Sequence, residues 1–140
     1  MGRRQAREAA LKALFQVELG GAQPDFALQQ TLLEDSLSET DANFARQLVD
    51  GVLTSQRELD ADLAKISSEW SLQRMANIDR LILRLASFEL AYLSEVPVPV
   101  AISEAVELAK LYSTAESGRF VNGILSVVAK LKAEKDGKTK

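Results

Sequence analysis

Neither cysteine nor histidine occurs anywhere in the 140 residues. Their absence removes thiolate nucleophiles, disulfides and every metal site built on sulfur or imidazole. It also removes the side chain that most often serves as general base near neutral pH. Carboxylate, lysine and tyrosine chemistry stay formally open, but no segment gathers such groups into a catalytic constellation. The sequence therefore reads as non-enzymatic, with no cofactor and no metal. Long apolar runs are lacking as well: none approaches the ~18 residues of a membrane-spanning helix. The opening Met1-Gly2-Arg3-Arg4-Gln5 has no apolar stretch behind it, so no secretory signal is expected and a cytoplasmic location is. Period-two alternation is nowhere sustained, which argues against a sheet.

What is present is helical. A chain of 46% hydrophobic and 26% charged residues has the composition of an ordinary globular domain and enough length to bury a core. Apolar residues recur at helical spacing. A first helix is expected from about Arg3 to Leu19, ended by Gly20-Gly21 as a left-handed cap. A second opens near Pro24 and carries Phe26, Leu28, Leu32 and Leu33. Ser38 with Asp41 resembles a capping box for a third, over roughly residues 39–67, with the stripe Phe44, Leu48, Val52, Leu59, Leu63 and Ile66. After an irregular joint around Trp70-Ser71-Leu72 comes the strongest amphipathic segment, roughly residues 76–94. Val96-Pro97-Val98-Pro99 must break it, and Pro99 can open the next helix. Ser113 and Thr114 supply capping oxygens for a last helix, with Glu116 as reciprocal partner of Ser113. The expectation is an all-α fold of six to seven helices, one domain with helical halves over 1–68 and 76–134, and a disordered basic tail over 135–140.

The net charge of −3 argues against indiscriminate coating of nucleic acid, but the charge is uneven. Arg3, Arg4, Arg7 and Lys12 face only Glu8 in the first twelve residues, whereas nine acids crowd residues 34–69. At 100° per residue, Arg3 and Arg7 each lie about 20° from the direction set by Leu14, so the core stripe of the first helix ends in guanidinium groups. Cations there oppose the helix dipole, which a bound phosphate would offset. The competing reading is that three arginines near a terminus simply solubilise it.

The segment Glu116-Ser117-Gly118-Arg119-Phe120-Val121-Asn122-Gly123 carries a second signal. Phe120 falls about 100° off the stripe of Val121, Ile124, Leu125 and Val128, with Arg119 further toward solvent. An edge aromatic beside an arginine and an amide can stack a base and read its edge. Alternatively, Phe120 packs on a neighbouring helix and Gly123 permits close helix approach.

Four blocks, in order, carry a resemblance. They are Arg3-Arg4-Gln5-Ala6-Arg7-Glu8-Ala9-Ala10-Leu11, then Arg80 to Leu90 followed by Val96-Pro97, then Ala101 to Lys110, and finally Phe120-Val121-Asn122-Gly123. The chain resembles the NusB family along nearly its whole length, most weakly from residue 22 to 65. The resemblance implies an all-α fold of two helical subdomains and a transcription antitermination factor. It would bind single-stranded boxA RNA of nascent, chiefly ribosomal, transcripts together with NusE, a small-subunit ribosomal protein, within the RNA polymerase antitermination complex. It also implies that Arg3, Arg4 and Arg7 form an arginine-rich motif, and that Glu116, Ser117, Arg119, Phe120 and Asn122 face RNA. Glu116 departs from the Asp found in some relatives. Asp79 falls where the family presents an acid near the protein partner; Arg80 and Arg84, on a shared helix face, either are simply solvated or widen the basic surface or meet the same partner protein. Some relatives form a homodimer that could hide the arginine face.

Two other residues invite attention. Glu89 sits on or beside an apolar stripe, where a structural carboxylate receiving hydrogen bonds or pairing with an arginine is favoured over a catalytic one. Trp70 reads as an anchor between helical halves. The competing functions are an accessory domain like that preceding the catalytic domain of certain ribosomal RNA methyltransferases, and a purely protein-binding helical module. The first would be accompanied by a Gly-rich strand–turn–helix unit for a methyl donor, absent from these 140 residues, so that reading fails for a complete chain and survives for a fragment.

Overall fold

The computed structural model describes residues 2–66 and 75–138. Six helices occupy them: α1 (Gly2–Gly20), α2 (Pro24–Asp35), α3 (Glu39–Ile66), α4 (Asn77–Tyr92), α5 (Val98–Tyr112) and α6 (Ala115–Lys138). Trp70 lies outside the described residues. The chain divides into two compact units, Met1–Thr54 and Ser55–Lys140, so the boundary falls within α3.

Local chemistry sets the helix ends. Gly21 takes φ +68° after α1, a backbone state that costs glycine nothing, and the Ala22 amide donates to the Gln16 carbonyl at 3.2 Å. Pro24 stands in the first turn of α2, where its missing amide is no loss. The Ser38 hydroxyl accepts from the Asp41 amide at 3.2 Å, the capping expected at the start of α3. Pro97 and Pro99 flank Val98 at the start of α5. At α6 the expected pairing of Ser113 with Glu116 gives way to Thr114, whose Oγ1 accepts from the Ser117 amide at 2.9 Å. With the helix beginning at Ala115, Thr114 is the residue whose side chain reaches the third amide of the first turn.

In the first unit α1 packs on α2. The buried face of α1 is rich in alanine (Ala6, Ala9, Ala10 and Ala13), with Leu11 and Leu14 among them. Lys12 Nζ and Asp35 Oδ2, 3.2 Å apart, tie the two helices. The face of α2 differs from expectation. Ala27, Leu28 and Thr31 are buried, whereas Phe26 and Leu33 are 60% and 72% exposed. Seven residues apart, these two share a face, about 140–160° from Leu28. A small-residue face with one leucine won over a larger apolar pair because it admits closer approach to the alanines of α1. Thr31 fits there because its hydroxyl donates to the Ala27 carbonyl at 2.9 Å.

In the second unit α4, α5 and α6 pack mutually. Leu81 to Leu90 of α4 are buried without a break, so the segment read as amphipathic is enclosed on all sides, as a central helix is. Among its polar residues Ser87 Oγ is buried without a hydrogen-bond partner among the described residues. Glu89 is 2% exposed and is not left without a partner. The Arg84 fork is satisfied by Asp60. Close approach of α5 and α6 occurs at Gly118, where an added Cβ would stand 3.2 Å from Lys110 Cγ and 3.5 Å from Val106 Cγ1. Gly123, expected to serve that purpose, is exposed, with nothing within 4 Å of such a Cβ. No described helix is long and apolar enough to cross a membrane.

Candidate nucleic-acid interface

The residues singled out in the sequence fall into one group in each unit. In the first unit, the start of α1 presents Arg3 and Arg4 to solvent, while Arg7 is only 3% exposed. The Arg3 guanidinium carbon lies 4.3 Å from the centroid of the Phe44 ring, and that of Arg7 lies 5.4 Å from the same centroid. Both distances are within the range in which a cation is attracted to the negative face of an aromatic ring. The helical-wheel placement of Arg3 and Arg7 on the extended core stripe therefore corresponds to a shared aromatic partner. Its consequence differs for the two. Arg3 is exposed to solvent, whereas Arg7 is enclosed. Lys12, counted in the same basic stretch, is paired with Asp35.

In the second unit, the starts of α4 and α6 meet. Ser117 Oγ donates to Asp79 Oδ2 at 2.8 Å, although 38 residues separate them in sequence. A hydroxyl has one proton, so with that proton given to Asp79 the Ser117 oxygen accepts from the hydroxyls around it. Thr114 Oγ1 lies 3.1 Å away and Ser113 Oγ 3.0 Å away. Asp79 is 7% exposed, and its Oδ1 has no hydrogen-bond partner among the described residues. The carboxylate borders a hollow of about 230 Å³ lined by Met75, Ala76, Asp79, Thr114, Glu116, Ser117 and Phe120. Phe120 is half-buried, and Glu116, Arg119 and Asn122 are exposed on the same first turns of α6. Phe120, half-buried, borders the hollow with polar groups nearby. A larger hollow of about 490 Å³, lined by Glu58, Lys65, Tyr92 and Lys132 among others, contains none of the expected residues.

The candidate partner-facing residues separate. Asp79 belongs to the hydroxyl network just described. Arg80 is half-buried and donates from Nη2 to Asn77 Oδ1. Arg84 is 5% exposed, with Nε 2.8 Å from Asp60 Oδ1 and Nη2 2.9 Å from Asp60 Oδ2. This is a two-pronged guanidinium–carboxylate pair of the strongest kind, and it leaves Arg84 a structural residue in the isolated chain. Sequence reasoning had no ground on which to assign Phe44 or Asp60 a part in either group, because their partners stand far away along the chain. Among the described residues no group of three or more acidic, cysteine or histidine side chains is placed to hold a metal ion.

Known proteins resemble this chain over most of its length. A model of the NusB family matches residues 4–130. A transcription antitermination protein NusB from Desulforamulus reducens is 52% identical over 125 residues, covering 89% of this chain and 87% of the relative. The solved structure of Thermotoga maritima NusB superposes with a TM-score of 0.85 at 38% identity, over 91% of this chain and 90% of that one. A chain in the crystal structure of antitermination factors NusB and NusE in complex with double-stranded RNA is similar with a TM-score of 0.85 at 28% identity. That match covers 93% of this chain and 97% of the other.

Proposed function

The chain belongs to the NusB family, and we propose accordingly that it is a transcription antitermination factor that binds boxA-type RNA jointly with NusE. The observation that carries the proposal is the near full-length likeness to a chain solved together with NusE and RNA. The two groups of residues described above supply the chemistry. Arg3 and Arg4 offer planar, permanently charged donors to phosphate. Phe120 offers a face on which an unstacked base can lie, with Arg119, Asn122, Ser117 and Glu116 around it as donors and acceptors. Arg7 contributes by holding the N-terminal group together. Asp79 and Arg80, at the start of α4, are the residues we assign to the neighbourhood of the protein partner, with Arg84 supporting the helix from within.

The protein acts by binding and not by catalysis, in the cytoplasm where transcripts emerge. Affinity from a few phosphate contacts is modest at physiological salt, so a second protein surface on the same RNA is the natural source of tight binding. The test is titration of a short boxA-like RNA with this chain, alone and with NusE present. Weak binding alone and a clear gain with NusE are expected. An Arg3→Ala/Arg4→Ala variant should bind less tightly, with a shallower dependence on salt concentration. The log–log slope should fall by about 0.7 for each phosphate of a single strand that is no longer neutralised. Unchanged affinity on adding NusE would remove the joint-binding reading.

A further inference from the structure

We infer that Phe44, a buried residue of α3, is the positioning residue of the N-terminal arginines, holding the Arg3 guanidinium ready for a nucleic-acid phosphate. The inference rests on the RNA-binding reading above and adds a residue to that same site.

Three features of the arginine placement are unfavourable in the free protein. Arg3 and Arg7 are four residues apart on one helix, where like charges repel. Both stand in the first turns of α1, where cations oppose the helix dipole. An exposed arginine also has wide rotamer freedom, which a ligand must remove on binding. The Phe44 ring addresses all three at once. It lies 4.3 Å from the Arg3 guanidinium carbon and 5.4 Å from that of Arg7. Its quadrupole attracts both cations.

The kind of partner matters more than the fact of one. Two other basic groups are matched to acids: Lys12, on the same helix, to Asp35, and Arg84 to Asp60. A carboxylate orients a guanidinium and cancels its charge. A phenyl ring orients it and leaves the charge intact. Arg3, exposed and held by a ring, keeps its full attraction for an anion while giving up in advance part of the freedom that binding would otherwise remove. Phe44 itself is 6% exposed and cannot be the group the RNA touches, so its influence passes through Arg3.

A double-mutant cycle tests this, using the full chain, a short boxA-like RNA and NusE. RNA affinity is measured for the parent, Phe44→Leu, Arg3→Ala and the double variant, with thermal unfolding of each alongside. Phe44→Leu should weaken RNA binding roughly three- to tenfold, the range expected when one immobilised long side chain regains its freedom. In the Arg3→Ala background the same change should alter affinity by less than about twofold, because its route is gone. Phe44→Tyr, which keeps the ring, should bind like the parent. If Phe44→Leu unfolds the protein, the comparison of Phe44→Tyr with Phe44→Met, each with and without Arg3, reads the same coupling. Losses from Phe44 and Arg3 that simply multiply would overturn the inference, as would full affinity in Phe44→Leu while Arg3→Ala loses binding. No effect of Arg3→Ala in a parent that binds RNA would also overturn it, and leaves the RNA-binding reading standing. A parent that does not bind RNA would instead remove both.

Discussion

Replacing Asp60 by alanine should cost more than replacing both Asp60 and the arginine it pairs with. Arg84 is 5% exposed, and two of its nitrogens lie 2.8 and 2.9 Å from the two carboxylate oxygens of Asp60. Removing one partner of a buried pair typically costs about 3–5 kcal/mol, because the remaining charge loses its partner without regaining water. Asp60 keeps 28% of its side chain in solvent, and Arg84 makes further interactions, which brings the cost below that range, to about 2–3 kcal/mol. For a chain of this size that lowers the melting temperature by roughly 5–10 °C. The double change Asp60→Leu/Arg84→Met removes the stranded charge and fills the space with apolar atoms, which is often neutral or stabilising. Urea unfolding followed by circular dichroism measures all of these. The double variant should be more stable than Asp60→Ala and should bind RNA and NusE as the parent does. An Asp60→Ala variant within about 0.5 kcal/mol of the parent, the range of an ordinary surface change, would show that the pair does not carry this energy. Loss of NusE binding in a stable double variant would return Arg84 to the docking surface.

Ser117→Ala should destabilise the protein by about 1–3 kcal/mol, since Asp79, already without a partner at Oδ1 among the described residues, would lose the donor to Oδ2; chemical denaturation reads it, and a neutral result would show that water serves the carboxylate equally well. Gly123→Ala should raise stability by about 0.5–1 kcal/mol, the helix-propensity gain at an unencumbered position, given that nothing stands within 4 Å of the added Cβ. A fall in RNA affinity in that same variant would show that the glycine serves the ligand and not the fold. The Tyr92 phenol donates to the Glu58 carboxylate at 2.6 and 2.7 Å, and this hydrogen bond, with some desolvation, raises its pKa above the ordinary 10.0. The folded state then holds the phenolic proton more tightly than the unfolded one, so the contribution to stability is complete below about pH 10 and is lost as the pH rises through the folded-state pKa. Ultraviolet titration in a Tyr112→Phe background should show the raised midpoint, and Glu58→Gln should lower it.

Features written in neighbouring residues were legible before the structure. The Gly20-Gly21 stop, Pro24, the Ser38–Asp41 cap and the Pro97–Pro99 break each act within a turn, and each marks a helix end in the fold. The wheel position of Arg3 and Arg7 was equally local, and so was the edge position of Phe120. What the sequence withheld was the identity of distant partners. Arg84 looked like an exposed basic residue because nothing nearby hints at Asp60, and Asp79 held no sign of Ser117. On α2 the larger side chains, Phe26 and Leu33, suggested the buried face, but packing against an alanine-rich helix selects small residues. Gly123 attracted notice as part of a motif, while the tight approach of α5 and α6 is made at Gly118, a choice that depends on where Lys110 and Val106 lie.

Sequence-selective RNA binding through Phe120, in company with NusE, is read most directly as a ratio of affinities. The ratio compares a boxA-like RNA with a scrambled RNA of equal length, determined by fluorescence anisotropy with NusE present, for the parent and for Phe120→Ala. A strong preference for the boxA-like RNA is expected in the parent. That preference should collapse in Phe120→Ala, because a base no longer held by stacking worth about 1–3 kcal/mol is no longer presented to the polar groups that read its edge. Equal affinity of the parent for the two RNAs would contradict sequence-selective binding, and an undiminished preference in Phe120→Ala would take Phe120 out of it.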